Sequence, residues 1–133
     1  MSRDSVARVY AAGMRREVGV LRADVYADLA GQAPSTDPIT SRWQHMFSPD
    51  KNAAVVVTLA PYWYWVNSGS FATHGSPHDY DAHVPIIFAG AGVRRGRVSK
   101  FTRVVDIAPT LAALVGVQPS EPLDGVILRR AIR

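Results

Sequence analysis

Five side chains that can bind a metal ion lie close together in one polar stretch of this sequence. Three histidines and two aspartates fall within ten residues: His74, His78, Asp79, Asp81 and His83. Imidazole nitrogens and carboxylate oxygens are common protein ligands of Zn²⁺. Taken by spacing alone, the stretch is open to two interpretations, a metal site or a polar turn with surface histidines.

The spacing of the first two histidines does not place them against one ion. His74 and His78 are four residues apart, a separation that brings side chains together on a helix. Gly75 and Pro77 lie in this interval and disfavour a helix. We therefore expect Gly75 and Pro77 to set the path of a loop.

The remaining polar residues of the stretch have simpler structural interpretations. We expect His78 and His83 to be structural or surface residues. Asp81 is expected to hold the loop by accepting backbone N–H groups, as aspartate does in turns. Ser76 is not predicted to be a nucleophile, because the sequence places no general base beside it.

Helices and strands alternate along the chain and must position this stretch. Capping signals and apolar spacing predict helices over residues 4–17, 37–47 and 107–115. Asp106 is expected to cap the last helix, with Gly116 at its end. Apolar runs predict strands over residues 20–25, 53–60 and 84–89. The pattern predicts an α/β layered fold, in a single domain over residues 1–133.

The sequence also predicts the structural role of one strand, an aromatic run, a long loop and a turn. The run 53–60 is apolar on both faces, which predicts a buried central strand of a parallel sheet. The aromatic run 61–65 is typical of edge packing more often than of a ligand platform. Residues 67–81 are predicted to form a long polar loop, and loops of this length are often functional. A turn is predicted over residues 48–52.

Composition excludes some classes of function. The chain of 133 residues has no cysteine, which excludes disulfides and thiolate metal sites. The net charge is +4, but the basic residues are scattered rather than arranged in a stripe with aromatics, so no nucleic-acid partner is predicted. The longest apolar stretch is too short and too polar to span a membrane, and no signal peptide is recognised after Met1.

Two motifs in this order resemble the C-terminal section of the alkaline phosphatase superfamily. The first is the loop Thr73-His74-Gly75-Ser76-Pro77 with the Tyr80–Pro85 segment that follows, and it is most similar to phosphate-irrepressible alkaline phosphatases and type I phosphodiesterases. The second is Val105–Leu114 followed by Gly116, which is shared with sulfatases. The resemblance implies a partial α/β/α layered sandwich, of which this chain is the C-terminal segment.

The resemblance carries one metal ligand onto this sequence. His74 matches a histidine that completes one of the two zinc sites of the complete family active site. Asp79 or Asp81 is a candidate to orient the second imidazole nitrogen of His74. The resemblance favours phosphate esters over sulfate esters as the substrate of a complete enzyme. It also implies export to the periplasm or outside the cell.

Most of the family's active-site motifs have no counterpart in this sequence. The nucleophile segment and an Asp-His pair are missing, and Asp79–His83 has the Asp-x-x-x-His spacing only after the His74 loop. No catalytic residue is therefore assigned, and we expect the chain to be inactive alone.

Three hypotheses stay open at this stage. The chain is the C-terminal part of a zinc-dependent phosphoric-ester hydrolase, or a non-catalytic remnant of the fold, or an independent metal-binding protein that uses His74, His78, Asp81 and His83. In the second case, an exposed sheet edge would bind the missing N-terminal part or another chain.

Overall fold

The computed structural model describes residues 2–47, 53–65, 69 and 72–133. Its elements are, in chain order, α1 (Arg3–Met14), β1 (Val20–Val25), α2 (Tyr26–Ala30), α3 (Pro38–Met46), β2 (Val55–Leu59), α4 (Asp79–Ala82), a 3₁₀ turn (Val104–Asp106) and α5 (Ile107–Val115). The residues cluster into two compact units, Met1–Val84 and Pro85–Arg133, called here the first and second units. The single-domain expectation stays a prediction. The turn predicted over residues 48–52 lies outside the described residues.

The first unit is built on two antiparallel strands. Val25 of β1 pairs with Val55 of β2 and Val20 pairs with Leu59, with an irregularity in the register between Val20 and Arg22. The predicted parallel sheet with 53–60 as a buried central strand is therefore wrong for the described residues. Along β2, burial alternates, because only one face of this strand packs against the core.

Small side chains let α1 approach the sheet closely. Ala7 and Ala11 of α1 are buried against Ala23 and Val25 of β1, and Met14 is among the partly buried residues around them. The helix begins at Arg3, one residue before the predicted start at residue 4, and it is capped by Ser2, whose hydroxyl accepts the Ser5 N–H at 3.2 Å. It ends at Met14, so the predicted end at residue 17 is wrong by three residues, and the chain then turns into β1.

Helix α3 has the predicted bounds and cap, and it packs on β2. Asp37 is its N-cap and accepts the Thr40 N–H at 3.0 Å. The Trp43 indole N–H donates to the hydroxyl of Thr58, which is fully buried, at 2.8 Å. Because Trp43 belongs to α3 and Thr58 to β2, this hydrogen bond fixes the helix on the strand that leads toward the polar stretch.

The second unit is organised by a buried polar pair rather than by an apolar core. The Asp106 carboxylate accepts the N–H groups of Arg103 and Val126, each at 2.9 Å. Thr110 donates its hydroxyl to the Asp106 carbonyl at 2.7 Å and accepts the Leu128 N–H at 2.9 Å. These bonds tie α5 to the segment after it. Asp106 occupies the N-cap position of α5 as predicted, but its carboxylate makes no cap hydrogen bond to that helix and binds the Arg103 and Val126 N–H groups instead. The Val126 and Arg103 N–H groups lower the pKa of Asp106.

In the second half of the chain, the predicted end of the last helix is confirmed and the predicted strand over residues 84–89 is not. Helix α5 ends at Gly116 as predicted, with the glycine at φ 69° in the left-handed region that favours this residue. The strand predicted over residues 84–89 does not form. A strand needs a hydrogen-bonded neighbour, and within the described part of the chain the sheet consists of β1 and β2.

Candidate functional site

The polar loop that carries His74 turns at a glycine and leads into a short helix. Gly75 has φ 88°, a value that glycine adopts without the penalty paid by other residues, so its expected role in shaping the loop is confirmed. Helix α4 follows from Asp79 to Ala82, at the end of the stretch that the sequence predicts to be loop throughout. The His74 side chain is exposed to solvent.

Asp81 holds the loop back onto α4, as the sequence predicts. Its carboxylate accepts the Ser76 N–H at 2.7 Å. This bond is the main cause that lowers the pKa of Asp81, and the nearby His74 contributes to the same shift. A carboxylate that stays ionised is a stronger acceptor, so the segment that contains His74 is fixed in place near neutral pH.

His78 fixes the same loop to the end of β2. It is buried, with 9% of its surface exposed, and its Nε2–H donates to the Leu59 carbonyl at 2.8 Å. Its ring also stacks on Tyr80 of α4, with ring centroids 5.4 Å apart. The structural role predicted for His78 is therefore confirmed, while His83 is exposed at the end of α4.

A third anchor, Arg42 of α3, is not recognisable from the sequence. Its guanidinium donates to the Pro77 carbonyl and to the Asp79 carboxylate, each at 2.6 Å. Arg42 precedes Pro77 by 35 residues, and no local pattern connects them. Asp79, which the sequence offers as a partner of His74, is thus bound to Arg42.

The space around these anchors is too small for a drug-sized ligand. A cleft of about 190 Å³ lies between the start of α3 and the segment from Pro77 to Asp79. Sites for such ligands usually enclose about 300–1,000 Å³. The cleft lies where Arg42 of α3 binds the Pro77 carbonyl, and the exposed His74 is not among the residues that line it.

The donor set fits one ligand position and not a complete metal site. Within residues 2–47, 53–65, 69 and 72–133, no group of three or more histidine, aspartate or glutamate side chains is arranged to hold a metal ion. Among the four residues of the independent-metal hypothesis, His78 uses Nε2 on Leu59 and Asp81 binds the Ser76 N–H. His74, with an exposed imidazole on an anchored loop, fits the role of a single ligand that other residues would complete.

The sequence of this chain is similar to part of several known proteins. The chain is 35% identical over 83 residues to a calcium-transporting ATPase of Myroides odoratus, which covers 62% of this chain and 15% of the relative. It is 36% identical over 84 residues to alkaline phosphatase PhoK of Sphingomonas sp, covering 59% of this chain and 15% of the relative. No protein-family model matches the chain.

The fold has a counterpart among solved structures. The crystal structure of wild-type alkaline phosphatase PafA superposes on all of this chain with a TM-score of 0.85 at 22% sequence identity, and the match covers 25% of that chain. The predicted partial α/β fold is therefore confirmed. The chain spans 15% of the length of each of the two curated relatives described above. No helix in the described ranges is long and apolar enough to cross a membrane.

Proposed function

From the premise that the chain belongs to the alkaline phosphatase superfamily and spans part of its fold, we propose that it forms one wall of a phosphoric-ester hydrolase site. In this proposal His74 provides one zinc ligand, and the nucleophile and other ligands come from outside these 133 residues. The observation that carries it is the exposed His74 imidazole on a loop held by three separate anchors.

The anchored loop suits the role of a metal ligand for a physical reason. A ligand loses less conformational entropy on binding when its backbone is already held. The bonds of Asp81, His78 and Arg42 reach the loop and its exit from three different elements, α4, β2 and α3. When bound, zinc stabilises negative charge on the leaving-group oxygen and makes its bound water more acidic. We propose phosphate monoesters or diesters as substrates, rather than sulfate esters.

With His74 as its one zinc ligand, the isolated chain is expected to lack catalytic activity. A catalytic zinc needs about three protein ligands, so we propose that the isolated chain does not hydrolyse phosphate esters. The direct test is incubation of the purified chain with Zn²⁺ and 4-nitrophenyl phosphate. Release of 4-nitrophenol above the zinc-buffer blank, abolished by His74→Ala, would contradict the proposal.

A chimaera tests the role of His74 in a complete site. The quarter of alkaline phosphatase PafA that this chain matches is replaced by the chain itself. We expect zinc-dependent phosphatase activity in the chimaera. His74→Ala should reduce it by at least the roughly 10- to 100-fold that loss of a mere supporting residue costs at metal sites.

His83→Ala is the matched control for this experiment. His83 is also an exposed histidine of the same polar stretch, so its removal changes charge and volume in the same way. The chimaera with His83→Ala should keep its activity and zinc content. Equal losses for both variants would refute a special role of His74.

A second candidate function, binding of a partner chain, is favoured by the second unit. Ile87, Phe101 and Val115 are 85%, 83% and 71% exposed, and the buried hydrophobic residues of the described chain all lie in the first unit. Large apolar side chains left in water favour association. The partner in this candidate is the remainder of a phosphatase fold or another chain, and light scattering of the purified chain measures whether it associates with itself.

The cellular location of the protein is proposed from the family resemblance. We propose export, as the resemblance to exported phosphatases implies. Fractionation of cells that express the natural gene, followed by immunodetection, tests this proposal. Detection confined to the cytoplasm would overturn it.

A further inference from the structure

The positive charge of the chain is concentrated in the second unit. Residues 85–133 contain eight lysine and arginine residues against three acidic residues, whereas residues 1–84 contain seven against eight. The basic residues look scattered along the sequence, because those of the second unit lie in two segments that are far apart in the chain. The fold of this unit brings the two segments together.

A short antiparallel pairing joins the two basic segments. Val93 forms an isolated bridge with Ile132. The Arg94 N–H donates to the Ala131 carbonyl at 2.8 Å, and the Arg133 N–H donates at 2.8 Å to the carbonyl of the residue before Val93. Residues directly opposite each other in such a pairing share a face, as do alternate residues of one strand. Arg94 and Arg133 therefore lie on the same face, as diagonal neighbours.

Six exposed arginines lie on or beside this pairing and are called here the arginine cluster: Arg94, Arg95, Arg97, Arg129, Arg130 and Arg133. Among the described residues, none of the six makes an ion pair, and the one ion pair inside residues 85–133 joins Arg103 to Asp106. Like charges without a counter-charge repel one another, and a bound anion removes that repulsion. The cluster therefore favours a partner that carries several negative charges.

Helix α5 supports the backbone that carries this cluster. Gly92 has φ 77°, and a Cβ at this position would lie 3.1 Å from a methyl group of Leu114 in α5. The missing side chain lets the segment pack directly against the helix. A charged surface on a supported backbone loses less conformational entropy on binding than a flexible basic tail does.

Exposed apolar side chains follow the first basic segment and indicate which anion fits. Val98 is 50% and Phe101 is 83% exposed, and both lie within four residues of Arg97. Basic residues beside an exposed aromatic residue are typical of surfaces that bind membranes. Proteins that bind single-stranded nucleic acid stack successive bases on several aromatic side chains, whereas Phe101 is the one aromatic residue of the sequence 93–133. The pattern favours a lipid surface.

We propose that the arginine cluster and Phe101 attach the second unit to the surface of a membrane that contains anionic phospholipids. The guanidinium groups donate hydrogen bonds to the headgroup phosphates, a geometry that suits arginine. The Phe101 ring enters the boundary between headgroups and acyl chains. Attachment of this kind needs no membrane-spanning segment. The inference goes beyond the proposed function and depends neither on zinc nor on His74.

Vesicle flotation with the full 133-residue chain tests this attachment. One set of vesicles consists of phosphatidylcholine, and the other also contains about one third phosphatidylglycerol, which supplies the negative surface. We expect the chain to float with the anionic vesicles and not with the neutral ones. In about 1 M NaCl, where the Debye length is about 3 Å, binding should weaken by about tenfold or more. Equal binding to both kinds of vesicle, or to neither, would overturn the proposal.

Arg94→Gln and Arg133→Gln test the cluster itself. Each should lower the partition onto anionic vesicles by about fivefold, since one basic residue near such a surface contributes that much. Both variants should keep the melting temperature of the parent, because the changes are on the surface. Arg16→Gln is the matched control, since Arg16 is an exposed arginine of the first unit. If the two cluster variants bind like Arg16→Gln, the cluster is not the attachment site.

A DNA duplex, which offers phosphates without a hydrocarbon phase, separates a lipid surface from nucleic acid. At the same phosphate concentration, we expect the chain to bind anionic vesicles more tightly than the duplex. Phe101→Ser should weaken binding to vesicles by about tenfold and leave binding to the duplex unchanged. A duplex bound as tightly as the vesicles, with no effect of Phe101→Ser on either, would overturn the membrane assignment in favour of nucleic acid.

Discussion

Replacing His78 by phenylalanine removes one hydrogen bond while keeping a ring in the stack beside the His74 loop. In the folded chain, His78 Nε2–H donates to the Leu59 carbonyl at 2.8 Å, and the imidazole stacks on Tyr80. His78→Phe leaves an aromatic ring against Tyr80 but leaves the Leu59 carbonyl without this donor. We expect the variant to fold with lower stability and a looser loop.

The expected cost follows from the burial of the bond. His78 is 9% exposed and Leu59 is half-buried, so water replaces the imidazole only in part at the Leu59 carbonyl. An unsatisfied buried acceptor costs about 1–3 kcal/mol, which corresponds to roughly a 5- to 150-fold change in the unfolding equilibrium. With a urea m value of about 2 kcal/mol/M, a loss of about 2 kcal/mol lowers the midpoint by about 1 M.

Tryptophan fluorescence in a urea titration measures this loss in the first unit. The three tryptophans of the chain, Trp43, Trp63 and Trp65, all belong to that unit, so their emission reports its unfolding. The second unit contributes no tryptophan to the signal. The midpoint and the m value are read from the same curve, which separates a change in stability from a change in compactness.

His83→Phe is the matched control, because it makes the same substitution at an exposed histidine. Surface substitutions usually change stability by less than about 0.5 kcal/mol. If His78→Phe and His83→Phe unfold at the same urea concentration, the bond to Leu59 does not anchor the loop that carries His74.

Three other polar side chains, those of Thr110, Asp37 and Asp81, make hydrogen bonds whose removal has a measurable effect. Thr110→Val removes the acceptor of the Leu128 N–H, so NMR hydrogen exchange at Leu128 should accelerate by about fivefold or more, and unchanged protection would contradict this. Hydrogen bonds from Thr40 lower the pKa of Asp37 from 3.8 to about 2, so the stability that the ionised Asp37 contributes is complete above pH 3.8 and is lost as the pH falls toward about 2. Asp37→Asn should flatten acid unfolding in that window, and an unchanged acid transition would refute the assignment. Asp81→Ala should lower the heteronuclear NOE of the loop amide that it binds, and an unaltered NOE would show that the loop is held otherwise.

Elements with a strong local signal were predictable from the sequence. Helix α3 has the predicted bounds because Asp37 and Pro38 give an unambiguous start, and α5 ends at Gly116 for an equally local reason. The strand over Val20–Val25 is confirmed despite its short pattern. The loop of the candidate site was also predictable, since Gly75 and Pro77 exclude a helix there.

Features that depend on distant residues were not predictable. The antiparallel pairing of β1 with β2 joins segments about thirty residues apart, and nothing in either strand specifies the direction of its partner. Asp106 has the sequence signal of a cap, but it binds the Val126 N–H, twenty residues further on. A cap signal shows only that a carboxylate is near a helix start and not which N–H groups it reaches.

For the candidate site, the residue types alone indicate which side chain could bind a metal ion, and the packing of the fold provides the contacts that hold it. The residue types Thr73–Pro77 mark the superfamily loop and its histidine, because a ligand's chemistry is a property of its side chain. The anchoring of that loop by Arg42 and His78, and the stacking of Tyr62 on Tyr80, became visible only in the folded chain. Those contacts join residues from separate elements, and the packing of these elements, which no local pattern encodes, sets the distances between them.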